Sequence, residues 1–212
     1  MQGLNYYILD SETNGLSSIS HEINEISIIR CSDRVQQTIF IRCEKPQNSS
    51  VDALRITGKT IEDLQNGISK EEAIVKVDKF LNEDGLTPAH RIFVAHNGNF
   101  DRKFLHALYK KVNKQCPVNL WLCTIELSRK YAKEIGLTNQ RFNLNAACEL
   151  VGIKKVAGAH ASKADARNTY LLWKDLVENK KVDYLPLIKT IPHIIDIAQQ
   201  EDGGLDPDLM NY

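Results

Sequence analysis

Apolar and polar positions alternate in blocks along the chain. Tyr6-Tyr7-Ile8-Leu9 has no polar interruption, which predicts a strand buried on both faces. Residues 25–30 and 37–42 are rich in β-branched side chains and are separated by Cys31-Ser32-Asp33-Arg34, the pattern of an antiparallel hairpin. With the first strand they form a three-stranded meander. After a loop at 45–50, apolar residues over 51–64 are irregularly spaced around Gly58, predicting short, broken helices. Ser69 and Glu72 then form a capping box ahead of the stripe Ile74, Val77, Phe80 and Leu81, a helix ending at 82–85. Residues 91–95 read as a fourth strand, followed by a helix with Phe104, Leu105, Leu108 and Tyr109 on one face. Residues 119–124 are the fifth strand. One helix follows through Leu127, Tyr131 and Ala132 to Gly136. Another carries Leu144, Ala147, Cys148 and Val151 and closes at Gly152. The last runs from about 162 to 179, with Tyr170, Leu172, Trp173 and Leu176 in its stripe. The sum is an α/β protein, a five-stranded mixed sheet (three antiparallel strands, then two parallel) flanked by helices. Residues 1–185 form one domain. Residues 186–212 are an extension, partly helical and then frayed.

Size and charge narrow the function classes. A chain of 212 residues is long enough for one well-filled core. Lys plus Arg and Asp plus Glu are equal at 27 each, so no global basic field coats nucleic acid nonspecifically. A site gripping a few phosphates stays open. The five cysteines (Cys31, Cys43, Cys116, Cys123 and Cys148) form no CxxC pair, which favours a reduced, cytoplasmic protein without a zinc site. The start has no signal-peptide pattern, and no apolar run approaches a membrane span.

The candidate chemistry is carried by isolated carboxylates. Asp10 and Glu12 follow the first strand, two apart. If the extended backbone persists, both leave the same face. Two anions so placed repel each other, and a divalent cation between them removes the penalty. The duller reading, favoured by Asp10-Ser11-Glu12-Thr13-Asn14-Gly15 alone, is a solvated turn. Asp101 opens the helix after the fourth strand, where the plain alternative is that it merely complements the helix dipole. Asp165 opens the last helix, and Ser162 offers it a plain capping partner. His160 lies five residues before Asp165, after a glycine-containing loop, which suits a proton-transfer group beside a fixed ligand. His96 and Asn97 fit turn and N-cap roles, and a structural role is preferred for His96.

Taken together, three motifs agree in order, spacing and type. They are Ile8-Leu9-Asp10-Ser11-Glu12-Thr13-Asn14-Gly15-Leu16, Phe93-Val94-Ala95-His96-Asn97-Gly98-Asn99-Phe100-Asp101, and His160-Ala161-Ser162-Lys163-Ala164-Asp165-Ala166. Over roughly residues 5–178 the chain resembles the DEDDh family of 3′→5′ exonucleases, which includes the proofreading epsilon subunit of bacterial DNA polymerase III, ribonuclease T and oligoribonuclease. Ile56-Thr57-Gly58, Trp121-Leu122-Cys123-Thr124 and the stretch 144–152 match minor family features. Asn14 stands where the family has a second Thr, and Thr57 where relatives often have His. Both departures put substrate preference, not catalysis, in question.

The resemblance implies a ribonuclease H-like fold and hydrolysis of phosphodiester bonds at single-stranded 3′ ends, DNA favoured over RNA, releasing nucleoside 5′-monophosphates. It implies two divalent cations, Mg²⁺ or Mn²⁺, on Asp10, Glu12, Asp101 and Asp165, with His160 as general base. Thr13, Leu16, Asn97 and His160 would meet the terminal nucleotide. Phe100 is either a stacking or a core residue. Two alternatives accompany this reading: a proofreading-type subunit of a polymerase complex, with self-association also open, and an inactive nucleic-acid-binding module of the same fold.

Overall fold

A computed structural model describes residues 3–156 and 161–190. One six-stranded sheet organises them, in the order β3-β2-β1-β4-β5-β6. Strands β1 (Asn5–Thr13), β2 (Ile23–Arg30) and β3 (Val35–Phe40) form the expected antiparallel meander, and β4 (Arg91–Ala95) and β5 (Leu120–Cys123) add to β1 in parallel. The expectation of five strands falls one short. β6 (Lys189–Thr190) pairs antiparallel with β5, with Leu120 opposite Thr190 and Trp121 opposite Lys189. Two exposed residues give no alternation, so periodicity had nothing to register. The rest of the expected extension, residues 191–212, lies outside the described residues.

Helices cover both faces of the sheet. On one side α2 (Lys70–Asn82) and α3 (Gly98–Lys111) bury Ile74, Val77, Leu81, Phe104 and Leu105 against Tyr7, Leu9, Phe93 and Trp121. On the other, α4 (Thr124–Glu134), α5 (Leu144–Leu150) and α6 (Ser162–Lys174) meet Ile8, Ile29, Ile92, Val94 and Leu122. This double cover is why β1 and β4 read as continuous apolar runs. The short α1 (Val51–Thr57) stops at Gly58, whose φ of 68° is the left-handed conformation that terminates helices. The capping box forms as expected, Ser69 Oγ accepting from Glu72 N and Glu72 Oε2 from Ser69 N. α6 does not run unbroken to 179: its last turn, Asp175–Asn179, loosens into π-helix.

The end of the sheet opposite the carboxylates is closed by a buried ion pair. Arg91 Nη2 lies 2.6 Å from Asp84 Oδ1, and Tyr7 Oη donates to Asp84 Oδ2 at 2.6 Å. The guanidinium and the phenol hold the Asp84 carboxyl well below the usual carboxylate range, outweighing the cost of its burial.

Candidate active site

β1 is longer than its apolar run. It stays extended through Thr13, with a register shift only between Glu12 and Thr13. The solvated-turn reading of Asp10 and Glu12 therefore fails. Pairing with β2 continues past the core, Asp10 opposite Ser27 and Glu12 opposite Glu25. Period two does the rest. Ile8 faces the α4–α6 layer, so Asp10 and Glu12 extend that same stripe beyond the apolar packing. Leu9 faces the α2–α3 layer, and Ser11 continues that side.

The two helix layers deliver the other carboxylates. Asp101, in the first turn of α3, is only 3 % exposed, too deep to be explained as a surface complement to the helix dipole. Ser11 Oγ donates to its Oδ1 at 2.7 Å, which fixes it against β1. Asp165 lies in the first turn of α6. Its capping explanation also fails: the N-cap is Ala161, and Ser162 Oγ donates instead to Glu25 Oε1 at 2.7 Å. Small buried residues on α6, Ala164 and Ala166, let that helix approach the sheet closely.

Burial, joined by neighbouring like charges at Asp10 and Glu12, makes weak acids of Asp10, Glu12 and Asp101. Burial raises the Asp10 carboxyl well above its ordinary range, and Asp101, Glu12, Asp165 and Glu25 add to the rise. Burial lifts Glu12 to about 8; the Lys59 ammonium opposes this, while Glu25, Asp165 and Asp101 reinforce it. Asp101 goes up to about 7 through burial, despite hydrogen bonds from Ser11 that favour its anion. Four carboxylates from β1, α3 and α6 thus share one electrostatic site. Among the described residues, no three His, Cys, Asp or Glu side chains are drawn up closely enough to hold a metal ion as they stand. The donor set is nonetheless all oxygen, which suits hard cations, and its mutual repulsion is the kind a cation relieves.

The remaining expected residues divide. His160 lies outside the described residues. On α6, Asn168 accepts from Val156 N at 2.8 Å and donates to Val156 O at 3.4 Å. Leu16 stands 63 % exposed just past the carboxylates, and Asn97 takes the left-handed conformation at the start of α3 without spending its side chain on a cap. Thr13 donates its hydroxyl to Gly15 O at 2.7 Å. Asn14 is no candidate for substrate contact: its Oδ1 accepts from Glu22 N and its Nδ2 donates to Ser49, which stitches the loop after β1. At Gly15 an added Cβ would come within 2.2 Å of the His21 ring, which would have to shift. Thr57 bonds back to Ala53 O. Phe100 packs on the core beside Phe104, centroids 4.8 Å apart. His96 is structural, as preferred. Its Nε2 meets Phe142 O, a pure acceptor, so it carries the proton, and Nδ1 then accepts from Thr124 Oγ1. Burial lowers its pKa to about 4.

Reading the sequence missed Glu25 and Lys59. Glu25 is buried in a strand whose every residue is buried, and Lys59 Nζ sits 2.8 Å from its Oε2. The available signal was an acid inside a run of isoleucines.

The site thus joins a mixed sheet between two helix layers to four acidic side chains gathered where its first strand outruns the core. The chain belongs to the exonuclease family, whose model matches residues 7–173. Among curated relatives it is 29 % identical over 192 residues to the DNA polymerase III PolC-type of Thermotoga petrophila and 25 % identical over 177 residues to that of Staphylococcus haemolyticus. Those alignments cover 90 % and 83 % of this chain, which spans only 13 % and 12 % of the two polymerases. Among solved structures, E. coli Exonuclease I in complex with a dT13 oligonucleotide superposes with a TM-score of 0.71 at 15 % identity, covering 84 % of this chain and 42 % of that one. The nuclease domain of 3'hExo, a DEDDh family member bound to rAMP, does so with 0.66 at 15 % identity, covering 84 % and 94 %. These likenesses establish the ribonuclease H-like fold. No helix among the described residues is long and apolar enough to cross a membrane.

Proposed function

We propose that the protein removes nucleotides from the 3′ ends of single-stranded nucleic acid, DNA in preference to RNA, and releases nucleoside 5′-monophosphates with the help of two divalent cations, Mg²⁺ or Mn²⁺. The observation that carries the reading is the meeting of Asp10, Glu12, Asp101 and Asp165 in one electrostatic site from distant parts of the chain. Asp10, Glu12, Asp101 and Asp165 would hold the cations. When bound, the cations stabilise charge on the attacking and leaving oxygens of an in-line displacement. The chain's own residues supply position and proton transfer. His160 accepts the proton of the attacking water, since an unperturbed imidazole titrates near pH 6.5. Exposed Leu16 would offer an apolar surface to the terminal base, and Thr13 and Asn97 would meet the same nucleotide. Stacking of this kind contributes about 1–3 kcal/mol per base and tolerates any sequence. A neutral chain suits a short single-stranded end better than a long duplex.

A polymerase setting is the second reading. It is favoured by the match of nearly the whole chain to a small part of PolC-type polymerases. In that setting the domain trims misincorporated 3′ ends. An inactive binding module is disfavoured, because it has no need of a complete acidic set.

The test is a product ladder on 3′- and 5′-labelled DNA and RNA strands with Mg²⁺ and a chelator control. Stepwise loss from the 3′ end, abolished by chelator, is expected. Internal cleavage, or cleavage from the 5′ end, would exclude the reading.

A further inference from the structure

Five carboxylates, not four, face the site. Glu25 lies directly across the β1–β2 pair from Glu12, on the α6 side of the sheet. Two like charges in opposite register destabilise a sheet. Lys59 answers the conflict. It follows Gly58, whose left-handed turn ends α1, and its side chain reaches back to β2. Its Nζ meets Glu25 Oε2 at 2.8 Å and donates to Asn24 Oδ1, with the ammonium and carboxylate side chains only 19 % and 6 % exposed. Glu25's other oxygen accepts from Ser162, three residues before Asp165. Both oxygens of Glu25 are thereby occupied.

We infer that Lys59 is a positioning residue for cation loading. By pairing with Glu25 it removes a fifth carboxylate from the ligand set, leaving four to balance two divalent cations, and so sets how tightly the site binds them. The inference rests on the metal-dependent reading above. Glu25 itself is a positioning residue, since its bond to Ser162 ties the start of α6 to the strand beside Glu12.

The sign of the effect separates this from a merely structural ion pair. Lys59→Met removes a positive charge and frees Glu25, so Mn²⁺ should bind about tenfold more tightly while maximal turnover falls, because Glu25 then competes for the cation. Glu25→Gln strands Lys59's charge beside Glu12, so Mn²⁺ should bind about tenfold more weakly. The double variant removes one charge of each sign and should return to within about threefold of the parent. Mn²⁺ titration of the full chain, followed by electron paramagnetic resonance or calorimetry, reads all three without reference to activity. Opposite shifts with a restored double support the inference. Shifts in the same direction, no shift in either single variant, or a double far from the parent overturn it. Lys59→Arg keeps the charge and should keep parental affinity if Lys59→Met does not fold; a tenfold change there also overturns it. If the parent shows no saturable Mn²⁺ binding, and Asp10→Asn behaves identically, the metal-dependent reading fails as a whole.

Discussion

Asp10 and His160 have separable duties in the proposed chemistry, and single substitutions should separate them. Asp10→Ala should abolish divalent-cation binding and turnover together, measured by Mn²⁺ titration and by single-turnover cleavage of a labelled oligonucleotide. His160→Ala should keep cation and nucleotide binding while the cleavage step slows by about 10²–10⁴-fold, the usual worth of a positioned general base. Equal cleavage by either variant and the parent removes that residue from its role. Legibility at this scale followed motif order and spacing. Asp10, Glu12, Asp101 and Asp165 stand out only jointly, through the order and spacing of three motifs, since each alone also fits a turn, helix-dipole or capping role. Glu25 does not, because it lies within a pattern rather than at its edge, and only cross-strand register brings it opposite Glu12. Asp84 was equally silent. It sits in a polar turn, and nothing local says that Arg91 and Tyr7 will bury it. Asp84→Asn should cost about 3–5 kcal/mol in urea unfolding, since it leaves a buried guanidinium unpaired. Lying at the far end of β1 from Asp10, it should leave Mn²⁺ affinity alone.

Elements were most legible where one physical signal dominated. The meander, the capped α2 and the stops at Gly58 and Gly152 follow from β-branched runs, a Ser-to-Glu spacing and glycine's tolerance of positive φ. Element ends were less so. β1 overruns its apolar stretch because pairing with β2 satisfies the backbone through Glu12 whatever the side chains carry. β6 exists only through its pairing with β5. The anchoring of α6 is likewise tertiary. Asn168, fully buried in mid-helix, grips both backbone groups of Val156. Asn168→Ala should lose about 1–3 kcal/mol by leaving buried backbone groups unpaired. Amide exchange at Val156 should quicken more than at residues of β4; uniform quickening throughout would point to global destabilisation instead.

At the scale of the whole molecule, stability and function pull on the same carboxylates. Asp84 is depressed in the folded state, so its contribution is present above the ordinary carboxylate range and is lost as pH falls through and below about 4. Asp10, Glu12 and Asp101 behave oppositely. Their folded-state pKa values are raised, to about 8 for Glu12 and about 7 for Asp101, so the native state holds protons that the unfolded chain has released. Their cost is absent below about pH 4 and grows as pH rises towards 8. The metal-free protein should therefore be most stable in mild acid and lose stability steadily from about pH 5 to 8. Divalent cations bind the ionised form, so they should remove the alkaline decline but do little at pH 5, where protons compete. At a cation concentration about 100 times the dissociation constant, the gain is about 2.7 kcal/mol, or roughly 5–10 °C in Tm for a chain of this size. Thermal unfolding across pH 4–9, with chelator and with Mg²⁺ or Mn²⁺, measures both limbs. Asp10→Asn should flatten the alkaline limb and erase the cation's effect. A metal-free protein whose stability rises from pH 5 to 8 would mean that the carboxylates do not repel one another in solution, and that the shared site has no electrostatic reason to take up a cation.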